Sequence, residues 1–174
     1  GETSSLLISN STFSTNAKSG ITVDNLIGNS RISLTTVIGN NYNGLYVSNT
    51  QGKISVVTSM FLHNKHNGVI ITEITGTLEL TNVNCSKNQA SGIVVDSGTL
   101  SFQMSDSLVE ENGGQGLHIL NQVNSTINIY NSQFVRNSNG EGVYLQAFRY
   151  CYVRLVEVLS LGNSQNGALF TRLS

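Results

Sequence analysis

Residues 59–72 read SMFLHNKHNGVIIT, and residues 83–96 read VNCSKNQASGIVVD. The second stretch repeats the first 24 positions later, with an asparagine four residues ahead of a glycine and alternating apolar residues after it. Working outward, the glycine recurs at 20, 44, 68, 92 and 116, then at Gly142 and Gly167. The asparagine recurs as Asn16, Asn40, Asn64, Asn88, Asn112, Asn137 and Asn163, with one extra residue in the turn at Asn137. Internal self-similarity at a fixed period is the mark of a solenoid.

The apolar positions keep the same register. One and three residues after each glycine stand Ile21/Val23, Leu45/Val47, Val69/Ile71, Ile93/Val95, Leu117/Ile119, Val143/Leu145 and Ala168/Phe170. Three before each asparagine stand Phe13, Val37, Phe61, Cys85, Val109, Phe134 and Ser160. A further pair opens each repeat, as in Ile54/Val56 and Leu78/Leu80, with Ser30/Ile32 in the second. Spacing by two is strand alternation with one face inward. Each repeat is therefore three short strands, and no segment sustains the 3.6-residue period that a helical solenoid needs. The reading is an all-β, right-handed parallel β-helix of about seven coils, with rungs about 4.8 Å apart. Residues 1–174 form a single such domain, expected to be a fragment of a larger protein.

The repeated polar residues have structural roles. Asparagine tolerates left-handed backbone, and its amide bonds neighbouring main chain. Stacked coil on coil, the seven form a ladder of amide hydrogen bonds. The glycine supplies either positive φ or room where the chain enters the next strand. The chain has no proline, as suits strands whose amides must donate to the next coil.

Coils of this kind resemble the parallel β-helix repeat of the pectate-lyase-like family, from about Leu6 to Phe170. More loosely, the Asn/Ser/Thr-rich coils are similar to the β-helix segments of large animal cell-surface proteins of the bark beetle (Anakonda) type. The resemblance implies the architecture. It leaves open whether a member is a polysaccharide lyase or hydrolase, a tailspike or a cell-surface segment.

Composition narrows the function. Nine basic and ten acidic residues make up 11% of the chain, without the basic excess that nucleic-acid binding needs. No apolar run is long enough for a membrane-spanning helix, so no direct membrane insertion is expected. Two cysteines make no disulfide framework. Cys85 and Cys151 lie three coils apart, roughly 14 Å, beyond the Cα separation of about 7 Å that a disulfide allows.

The resemblance implies that a lyase would need several acidic calcium ligands and a basic residue on one outward sheet, and a hydrolase paired carboxylates on neighbouring coils. Asp24 and Asp96 share an outward column three coils apart, and only Glu73 and Asp96, one coil apart at neighbouring outward positions, could approach each other. His63, His66 and His118 lack a partner at a catalytic spacing. The reading therefore assigns no catalytic residue, metal or cofactor.

What remains is surface. The column two residues after each glycine points outward and reads Thr22, Tyr46, Ile70, Val94, His118, Tyr144 and Leu169. From Tyr46 onward it is a candidate interaction stripe, on the scale at which apolar patches mark interfaces. A second candidate is the loop Phe148, Arg149, Tyr150 and Tyr152, because aromatics and Arg are enriched at binding hot spots. Sequons at Asn10, Asn84 and Asn124 are candidate N-glycosylation sites, although chance alone predicts such triplets among 22 asparagines. The function expected is a non-catalytic, extracellular or cell-surface module, a rigid spacer or protein-interaction surface in an adhesion-type protein. Its partners would be another protein, neighbouring domains, or a second copy meeting the open ends. The alternative is a carbohydrate-active or carbohydrate-binding β-helix, with sugar along an outward sheet and Tyr46 and Tyr144 as stacking rings.

Overall fold

The structure, a computed structural model describing residues 4–173, is a parallel β-solenoid of about seven turns. The chain enters through Leu6–Ser9, Thr12–Ser14 and Ile21–Asp24, and each later coil adds a strand to each of these three positions. Register follows the sequence repeat: Leu45 lies between Ile21 and Val69, and Leu117 between Ile93 and Val143. In the middle of the molecule the corners are laddered too, so strands join into Leu45–Leu62 and Val69–Ser86. Three short strands per coil therefore hold at the ends, while the central coils pair almost continuously.

Every inward position from Leu45 to Leu145 in the third-strand column is essentially solvent-free. Phe61, Phe102 and Phe134 are the largest fully buried side chains, and Ile32 fills the second coil as expected. Cys85 sits among them as a free thiol at 0% exposure, and Cys151 is also free. Burial without a charge partner pushes the Cys85 thiol well above the usual range.

The asparagine ladder is continuous over all seven coils. Each amide donates through Nδ2 to Oδ1 of the next coil's asparagine, at 2.8 Å from Asn16 to Asn40 and 2.9 Å from Asn137 to Asn163. The backbone N–H of each donates to the same oxygen. The second amide proton returns to the coil before, as from Asn64 Nδ2 to Val37 O. Every polar atom of Asn64 is thus engaged inside a buried turn, so an apolar replacement there would leave its partners unpaired.

Of the two roles open to the glycine, the structure selects room. Gly44 has no positive φ; a Cβ there would lie 2.5 Å from Gly68 O and 2.9 Å from Asn64 Nδ2. Left-handed backbone belongs instead to three corner columns, one after each strand, and to a further bend at Gly28, Gly52, Gly76, Asn124 and Tyr150. The first runs Asn10, Leu34, Thr58, Asn82, Asp106, Asn131 and Glu157, with φ between 42° and 55°. One such residue turns the chain sharply enough to start the next side of the coil. Asparagine suits it, whereas a branched or bulky residue is strained there.

Candidate functional site

The outward column after each glycine is aligned residue on residue by the strand register: Thr22, Tyr46, Ile70, Val94, His118, Tyr144, Leu169. Tyr46 to Leu169 are half-buried against one another. The His118 and Tyr144 rings stack with centroids 4.7 Å apart and planes 8° from parallel. Beside this column the turn between asparagine and glycine forms a second ridge, Lys18, Tyr42 and His66, with Tyr42 and His66 rings 4.5 Å apart.

Between the two ridges lies an open groove of about 520 Å³. Its walls are Lys18, Tyr42 and His66 on one side and Thr22, Tyr46 and Ile70 on the other. Its floor is Ser19, Asn43 and Asn67. The floor is rigid, because Asn67 donates through both N and Nδ2 to Asn43 Oδ1, and Ser91 N donates to Asn67 Oδ1. The wall ends where Ala90 and Gly114 replace the rings, so the same face is shallow beyond the third coil. Lys18 and Tyr42 are not singled out in the sequence reading, and His66 enters it only as a histidine without a catalytic partner. The signal was their common place, two residues after the ladder asparagine.

Farther along, His118 Nε2 is buried without a hydrogen-bond partner among the described residues. Burial lowers the His118 pKa, opposed by its bond to Gln146 and by the Asp96 and Glu141 charges. The ring is therefore neutral at pH 7. Asp96 accepts from Ser97 Oγ and Asn121 Nδ2. Asp24 accepts from Ser48 Oγ at 2.6 Å and from Asn25 and Asn49, bonds that hold its carboxyl below the usual carboxylate range. Among the described residues no group of three or more His, Cys, Asp or Glu is placed to hold a metal ion. No helix there is long and apolar enough to cross a membrane.

The aromatic loop divides. Phe148 turns inward to 3% exposure and joins the core, which corrects its reading as a surface aromatic, while Tyr150 and Tyr152 stay exposed. The reason is its column: Phe148 follows Thr50, Ile74 and Gln122 into a buried position past the third corner. Arg154 lies over the Tyr130 ring at 5.6 Å. Asn10 and Asn124 are exposed on left-handed backbone. Asn84 is half-buried, its Oδ1 accepting from the Ser86 hydroxyl of its own sequon.

Comparison with known proteins supports the architecture. No curated protein matches the sequence. The chain is similar in structure to the A-module of the Azotobacter vinelandii mannuronan C-5 epimerase AlgE4, with TM-score 0.55 and 12% identity over 94% of this chain. It is also similar to a mutant of the periplasmic alginate epimerase AlgG, with TM-score 0.60 and 13% identity over 98% of this chain. It spans 57% and 51% of those two chains. The expectation of a non-catalytic adhesion spacer is corrected here: the similar structures are a mannuronan C-5 epimerase module and an alginate epimerase. The sequence model described as "Right handed beta helix region" matches residues 1–155, and the chain belongs to that family.

Proposed function

We propose that this chain is a carbohydrate-binding β-helix segment that holds an extended glycan in the groove between the Tyr42 and Tyr46 ridges. The observation that carries the reading is the composition of that groove: aromatic rings on both walls over a floor of fixed amides and a hydroxyl. Rings present flat apolar surface to the C–H face of a sugar, while Lys18 and the Ser19, Tyr42 and Tyr46 hydroxyls offer hydrogen bonds to its rim. The groove runs along the solenoid axis, so successive sugars would meet successive coils. The shared fold of the alginate epimerases supports a polysaccharide over a short oligosaccharide.

The test is a glycan array with neutral and uronic-acid polysaccharides, followed by titration of the best ligand. Tyr42→Ala and Tyr46→Ala should each weaken binding by about three- to tenfold, the scale of one ring contact. An array without a ligand, or binding unchanged in both variants, overturns the proposal.

A second reading, catalysis on the bound glycan, is favoured by His118. Its Nε2 is buried without a partner among the described residues under the stacked Tyr144 ring, and it would accept a proton once that ring swings aside for the glycan. Incubation with uronic-acid polymers, read by proton NMR for new or inverted sugar signals, tests it. Turnover abolished in His118→Gln is the expected result; no turnover of any bound polymer overturns it.

A further inference from the structure

The third corner column ends in two unusual residues. Most of it is Asn25, Asn49, Glu73 and Asn121, but at the last two coils it reads Ala147 and Arg172, both left-handed, with φ of 58° and 54°. Two residues after Ala147 the chain turns outward again at Arg149. There the backbone is pinned, Arg149 N donating to Gln122 O and Asn124 N to Arg149 O, each at 3.0 Å. Phe148, between them, is buried. Beside the small Ala147 lies a notch of about 240 Å³, lined among the described residues by Ala147, Phe148, Arg149 and Arg172.

Neither arginine forms an ion pair among the described residues. Arg136 shows the contrast, since Glu110 and Glu111 both hold it at 2.9 Å. Two guanidinium groups lining one notch concentrate positive charge there, which a bound anion would offset. A guanidinium offers paired N–H donors in a plane, matched to two oxygens of one anion.

We propose that the notch bounded by Arg149, Arg172 and Ala147 is a binding site for a single oxyanion group: a carboxylate, sulfate or phosphate. The inference does not rest on the carbohydrate reading, because the two sites lie on different coils and the probe is a free anion.

The experiment titrates acetate, sulfate and phosphate separately into the intact chain, with chloride replaced to keep ionic strength constant. Arginine Nε–Hε resonances are followed by NMR. At least one anion should give saturable shifts at Arg149 and Arg172 and at no other arginine. Its geometry, planar or tetrahedral, then names the source. Arg149→Gln and Arg172→Gln should each weaken binding about tenfold, the scale of one charge-assisted hydrogen bond. Ala147→Leu should abolish it by filling the notch with both charges kept. Leucine already occupies one such corner at Leu34, with φ 52°, despite the strain there. Shifts that never saturate, that chloride reproduces, or that survive Ala147→Leu overturn the proposal.

Discussion

The central coils and the terminal ones are built from the same repeat, yet the same position is a different environment in each. Phe61 and Phe134 are at 0% exposure, whereas Phe13 in the same column of the first coil is half-buried; in the third-strand column Leu145 is at 0% and Phe170, stacked on it in the last coil, is 42% exposed. Asn64 and Asn88 sit in closed turns, while Asn16 is exposed. The difference teaches that a residue in a solenoid is stabilised by the coils above and below more than by its own. Stability then behaves as a sum of nearest-neighbour interfaces, and identical substitutions should cost very different amounts along the axis.

The largest effect tests this directly. Phe61→Ala opens a cavity between Val37 and Cys85 and should cost about 3–5 kcal/mol in denaturant unfolding. Phe170→Ala removes a ring already near water and should cost under about 1.5 kcal/mol. Equal losses would break the comparison.

The ladder gives a middle-sized effect. Asn64→Ala leaves its neighbours' buried donors and acceptors unpaired and should cost about 1–3 kcal/mol, against under about 1 kcal/mol for Asn16→Ala at the exposed end. Chemical denaturation of both variants checks the ratio.

The smallest effect sharpens the comparison by ignoring it. Corner strain is local to one residue, so Leu34→Asn and Glu157→Asn should each stabilise by about 0.5–1 kcal/mol despite their different depth in the stack. Thermal unfolding of the two variants is the measurement. A gain confined to one of them would mean that corners too depend on their neighbours.

The columns and the ladder were legible because each rung repeats the same constraint. An inward apolar residue and a turn asparagine must recur wherever a coil stacks, and recurrence at 24 positions is visible in one sequence. The corners were not legible, because the left-handed region is occupied by Asn10, Leu34, Thr58 and Glu157 alike. Backbone pairing on both sides enforces the bend there, and side-chain type does not. Phe148 misled for a related reason. The run Phe148 to Tyr152 lacks the alternation of a strand, so nothing local announces that one member points inward. The groove was half legible: Tyr46 stood in a column already read as outward, but its opposite wall emerges only when turns from three coils are set side by side.

One rung per 24 residues also has a mechanical meaning. Tension applied at the chain ends would load the outermost coil first, and only the hydrogen bonds to its single neighbour resist. Once that coil peels away, the next meets the same load with the same resistance. Each release frees 24 residues, about 80 Å of extended chain, in exchange for one rung of about 4.8 Å. The molecule would therefore lengthen in equal steps, like a ratchet giving one tooth at a time.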